Sequence, residues 1–146
     1  MEASLIAVPV LAVTFLLVDL SMVVYLRSTF QHAVREGVRY AVTGQNTSGP
    51  CQDDSIKTVV KSNAGGWLNA TTPASTIHVH FLSPVDGSAT NNASGNIIEV
   101  SVESYHYGPL APYQRANLPV QLTARAFDVM ENIPGALPCL SSSVNH

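Results

Sequence analysis

Residues 26–42 read LRSTFQHAVREGVRYAV. Leu26, Phe30, Ala33, Val34, Gly37, Val38 and Ala41 recur at steps of three and four, the spacing of one apolar stripe on a helix. Arg27, Gln31, Arg35 and Arg39 stand four apart and form a polar row on a different face. Thr43-Gly44 supplies a stop signal. Upstream, residues 3–26 are apolar and hold one charge, Asp19. The two segments join into one continuous helix from near Glu2 to Val42, ~60 Å long at ~1.5 Å per residue. Pro9 removes a backbone donor and is expected to bend or loosen its first turns.

The whole chain has 146 residues, of which 12% are charged, about half the ~25% of an average soluble domain. The apolar run of residues 3–26 makes a helix of ~36 Å, enough to cross a ~30 Å hydrocarbon core. An ordinary cytosolic globular protein is therefore not expected. The expected division is a long helix at 1–43, with 1–26 as its transmembrane or filament-core part and 27–43 as the amphipathic part packing on a sheet. Residues 44–146 are then one small extracellular α+β domain. The first 43 residues have no net charge and the remainder carries −3. There is no basic patch, so nucleic-acid binding has no electrostatic footprint.

Past Gly44 the pattern changes. Asp53 or Asp54 is suited to cap a short second helix over 55–63, ended by Gly65-Gly66. Three stretches then alternate with period two. Ile77, Val79 and Phe81 share one face of 76–82, with His78 and His80 opposite. Ile98, Val100 and Val102 share a face of 96–105, opposite Glu99, Ser101 and Glu103. Val120, Leu122, Ala124 and Ala126 share a face of 119–129, opposite Gln121, Thr123 and Arg125. A turn is expected at Asp86-Gly87. The three apolar faces need a cover, and the stripe of the long helix offers one. The predicted fold is α+β: a long N-terminal helix packed on a small three-stranded antiparallel sheet, with a short second helix.

Chemistry-bearing residues are few. No GxSxG, HExxH, P-loop or GxGxxG is present, so no enzymatic activity, cofactor or metal is predicted. His78 and His80 are read as part of a polar outer face, with Glu99, Glu103 and Arg125 as cross-strand neighbours. Cys51 and Cys139 flank the domain. They are expected to pair as a disulfide if the domain is exported, and to be two buried thiols otherwise. Sequons start at Asn46, Asn69 and Asn92, the candidate glycosylation acceptors. Asp19 either lies solvated near the headgroups or gains a positive partner when helices bundle, because a carboxylate inside a bilayer is costly. Arg27, one residue past the apolar run, is a weaker partner candidate.

The plan resembles that of type IV pilin-like proteins, and more specifically that of TadE-like proteins of the bacterial tight-adherence (Tad) pilus class. The residues carrying the resemblance are Glu2 ahead of an apolar run with Pro9, Asp19 late in that run, and QHAVREGVRYAV at 31–42. VSVESYHYGPL at 100–110 and LPVQLTARAFDVMEN at 118–132 add to it. The resemblance implies a structural subunit that polymerises through its apolar helix into an extracellular pilus. The helix anchors the precursor in the inner membrane beforehand. A second reading is a membrane-anchored minor pilin or surface adhesin module that primes or decorates a Tad-type pilus. Implied partners are further copies of the chain, the pilus assembly machinery and a prepilin peptidase. In such filaments an acidic residue near the N-terminus meets a neighbour's terminal amine, a role that falls here to Glu2, Asp19 or both. Family precursors carry a basic leader ahead of the glutamate, whereas this sequence reads Met1-Glu2. Met1 is therefore expected to be either the processed end or a different gene start.

Overall fold

The computed structural model describes residues 2–45, 52–68, 76–108 and 120–131, and of residues 2–5 the backbone alone. Helix α1 runs Glu2–Val42 without interruption, through Pro9. Its hydroxyl side chains fold back on the helix. Thr14, Ser21 and Thr29 donate to the carbonyls of Val10, Leu17 and Tyr25 at 2.8, 2.7 and 2.9 Å, so their polarity is met inside the helix. Gly44, at φ 65°, closes the C-terminus and donates to the Ala41 carbonyl, the left-handed cap for which glycine has no steric penalty.

Helix α2 spans Gln52–Asn63, starting ahead of the expected 55–63. Asp53 and Asp54 lie inside its first turn rather than before it. There they complement the positive end of the helix dipole, and Asp53 also pairs with Lys57 at 3.0 Å. Gly65 and Gly66, both at positive φ, follow the helix. The two helices cross closely at Gly37. A Cβ there would lie 2.5 Å from Val60 Cγ2.

Strands β1 (Ile77–Leu82), β2 (Ile97–Tyr107) and β3 (Val120–Val129) form an antiparallel meander in the order β1-β2-β3. The expected α+β architecture is the observed one. Ile77, Val79, Phe81, Ile98, Val100, Val102, Leu122 and Ala124 are buried. They meet Leu26, Phe30, Val34 and Val38 of α1, and Ile56 and Val60 of α2, in one core. Two positions depart from strict alternation. Ser101, expected outside, is buried, because it sits in the central strand between His78 and Arg125 in register. Val120, expected inside, is exposed at the start of its strand.

The buried stripe of α1 also begins lower than Arg27. Asp19 is only 6% exposed, Met22 and Val23 are partly buried, and Leu26 is fully buried. Packing on the domain therefore starts about two turns before the boundary read from the charge pattern.

Candidate functional site

The lower half of α1 is open on every side. Ile6, Val8, Val10, Leu11 and Val13 are all more than half exposed, and Leu16 and Val18 nearly so; at about 100° per residue their positions go round the whole helix circumference. A soluble helix buries an apolar stripe; one that is apolar all round needs lipid or other helices about it. Among the described residues α1 alone is long and apolar enough to cross a membrane.

Where this open region meets the domain, a bulge in β2 shapes the contact. The β2–β3 register shifts between Val102 and Tyr105, and Ser104 takes φ 56°, a left-handed conformation that a side chain resists. The extra residue changes which parity of the strand faces α1. Before it Val100 and Val102 point inward. Beyond it Tyr105 meets Phe30 edge-on, with ring centroids 4.9 Å apart. Tyr107 is buried, and its hydroxyl donates to Asp19 Oδ1 at 3.4 Å. Burial, and then the Asp19 charge, hold the Tyr107 phenol above its ordinary pKa of 10.0. It stays a neutral donor to the carboxylate.

The other expected site residues are scattered. Glu2 lies in the first turn of α1. Pro9 is exposed in the apolar run, and Arg27 is exposed without an ion pair among the described residues. Asn92, a proposed glycosylation acceptor, is 6% exposed, and its Nδ2 donates to Gln52 Oε1 at 3.4 Å. The atom a sugar would join thus faces Gln52 in this fold. Asn46, Asn69, Cys51 and Cys139 lie outside the described residues. Gln52 in turn donates to the Ala41 carbonyl at 2.9 Å, so one buried amide joins the end of α1, the start of α2 and the β1–β2 loop.

On the outer sheet face Arg125 reaches Glu103 at 2.7 Å and Glu99 at 3.5 Å. The His78 and His80 rings stack 6.0 Å apart, and His80 pairs in register with Glu99. This is the arrangement expected of a polar face, with the histidines among its members. A groove of about 340 Å³ runs between the end of α1 and β3, with Arg35, Arg39, Asp128 and Glu131 on its walls.

Comparison with known families adds to the apolar helix and its buried acid. Residues 1–39 match the TadE-like protein family. The match takes in Glu2, Pro9, Asp19 and the REG segment, and ends at Arg39. The likeness to that family thus lies within α1. The segments 100–110 and 118–132, read as part of the same resemblance, lie beyond the matched residues. No curated protein and no solved structure matches the chain. The TadE-like match suggests a pilin-like protein associated with a Tad pilus, in a family that is structural rather than enzymatic. Together with the apolar helix it fits a membrane-anchored, pilus-associated protein.

Proposed function

We propose that this TadE-like chain is a structural subunit of a Tad-type pilus. The lower half of α1 holds it in the inner membrane before assembly and bundles with the same helix of other copies afterwards. The sheet domain then stands outside the bundle. The observation that carries the reading is the apolar surface of α1 on all sides below the domain, which one small domain leaves uncovered. On this reading the partners are further copies, the pilus assembly machinery and a prepilin peptidase, and the finished protein lies on the cell surface.

Electron microscopy of filaments sheared from the source cells, with antibody against the sheet domain, tests it. Label along the whole filament is expected, and Leu17→Lys should abolish it, because a buried lysine in an apolar bundle is strongly disfavoured. Label confined to filament tips supports the minor pilin or adhesin reading instead. Normal filaments labelled along their length in Leu17→Lys cells overturn the subunit reading.

A further inference from the structure

The contact between Tyr107 and Asp19 fixes how far the folded domain reaches down α1, and hence how deep the membrane can rise around it. Tyr107 pairs in register with Val120, so the end of β2 and the start of β3 lie at the level of Asp19. Strand ends carry backbone groups without ladder partners, which hydrocarbon does not tolerate. The hydrocarbon edge therefore lies no higher than Asp19. A second set of residues limits it from below. Leu20, Val24 and Tyr25 are more than half exposed on the sides of α1 that the sheet leaves open, and Val120 is exposed at the sheet end. These apolar and aromatic groups form a collar from Asp19 up to Arg27, eight residues or ~12 Å along the helix. Tyrosines with apolar bodies and polar tips are suited to the layer between hydrocarbon and water. Arg27, exposed at the top of the collar, is placed to reach phosphates.

We propose that this collar of Leu20, Val24, Tyr25 and Val120 seats the domain in the headgroup layer of the bilayer, so that the membrane-spanning part of α1 ends at Val18. Residues 2–18 of α1 then lie below that level, ~26 Å of helix within a ~30 Å hydrocarbon core. The domain rests on the membrane surface rather than standing clear on a stalk. This inference rests on the anchoring half of the proposed function.

The test uses the full chain in vesicles of phosphatidylethanolamine and phosphatidylglycerol. A fluorescent amino acid is placed at Val10, Val24, Val120 or Arg35 by suppression of a stop codon. Quenching is compared between nitroxides on the lipid headgroup and nitroxides midway along the acyl chain. Positions 24 and 120 are expected to be quenched more strongly by the headgroup probe, position 10 more strongly by the acyl-chain probe, and position 35 by neither. Stronger acyl-chain quenching at position 24 overturns the inference and moves the boundary to Arg27. A position 120 blind to both probes also overturns it, since the sheet would then stand clear. If position 10 escapes both, membrane anchoring itself fails, and the proposed function with it.

Discussion

The Tyr107 hydroxyl and Asp19 Oδ1 meet at 3.4 Å across a sequence separation of 88 residues. The last inward side chain of β2 is thus tied to the only charge in the apolar run of α1. The chain supplies its own donor to this carboxylate. A neighbour's terminal amine is therefore not required to hold Asp19 in the isolated subunit.

Tyr107→Phe removes that donor without changing the ring. A hydrogen bond to a charged group contributes ~1.5–3 kcal/mol, and other contacts of Asp19 reduce the loss. The expected cost is about 1 kcal/mol, read as a lower midpoint of thermal unfolding of the full chain in detergent. Asp19→Asn, which keeps an acceptor, should lose less than Asp19→Ala. Unchanged monomer stability in all three variants, with filament yield reduced, would mean that Asp19 acts between subunits instead.

Alkaline pH should act on the same contact. Burial raises the Tyr105 phenol above 10.0, and burial together with Asp19 raises that of Tyr107. The folded state therefore holds these protons more tightly than the unfolded chain. Their contribution to stability is complete below about pH 10 and falls as pH rises from there through the raised values. A denaturation series from pH 9 upward should show this decline, and Tyr107→Phe should make it shallower. An identical slope in the variant would remove Tyr107 from the account.

The backbone approach at Gly37 predicts a size limit. Gly37→Ala gains helix propensity of ~1 kcal/mol, but its Cβ would lie 2.5 Å from Val60 Cγ2 in a fully buried contact. Overpacking of this kind costs ~1–3 kcal/mol, so a net loss of about 1 kcal/mol is expected. In a double-mutant cycle Gly37→Ala combined with Val60→Ala should lose less than the sum of the two single changes. Strict additivity by chemical denaturation would show that the helices separate freely here.

Ser104 predicts the opposite sign. At φ 56° it bears the left-handed strain of the bulge. Ser104→Gly should raise stability by up to ~1 kcal/mol. Ser104→Val should lower it by at least as much and loosen Tyr105 and Tyr107, visible as sharpened tyrosine ring signals in NMR spectra.

Truncation locates the lower end of the packed stripe. A fragment 19–146 keeps Asp19, Met22, Val23 and Leu26, whereas 27–146 loses them all. Leu26 is fully buried, and removing a buried leucine side chain costs ~2–5 kcal/mol. The longer fragment should therefore unfold at clearly higher denaturant concentration. Equal midpoints would return the boundary to Arg27.

The sequence carried the architecture because two simple periods ran unbroken. The three-and-four spacing from Leu26 to Ala41 located α1, and Ile98, Val100 and Val102 located the middle of β2. The Tyr107–Asp19 contact was missed because alternation assumes a constant phase. The signal was there: inward residues pass from Val100 and Val102 to Tyr105 and Tyr107, with the polar pair Glu103-Ser104 at the change. The relay from Asn92 through Gln52 to Ala41 left no such trace. Two amides 40 residues apart follow no local period, and a sequon was the more visible feature of Asn92.

The order of the chain gives α1 a waiting time. Its stripe of Leu26, Phe30, Val34 and Val38 is finished early, but β3, which packs on it, does not begin until Val120. The 77 positions between Val42 and Val120 take roughly 4–15 s to synthesise at about 5–20 residues per second. Until β3 emerges the stripe of the newborn helix lacks the strand that completes its cover, while its lower half is already fit for lipid. Early capture of α1 by the bilayer, or shielding by a chaperone, would keep the stripe from associating with other nascent chains until the last strand emerges.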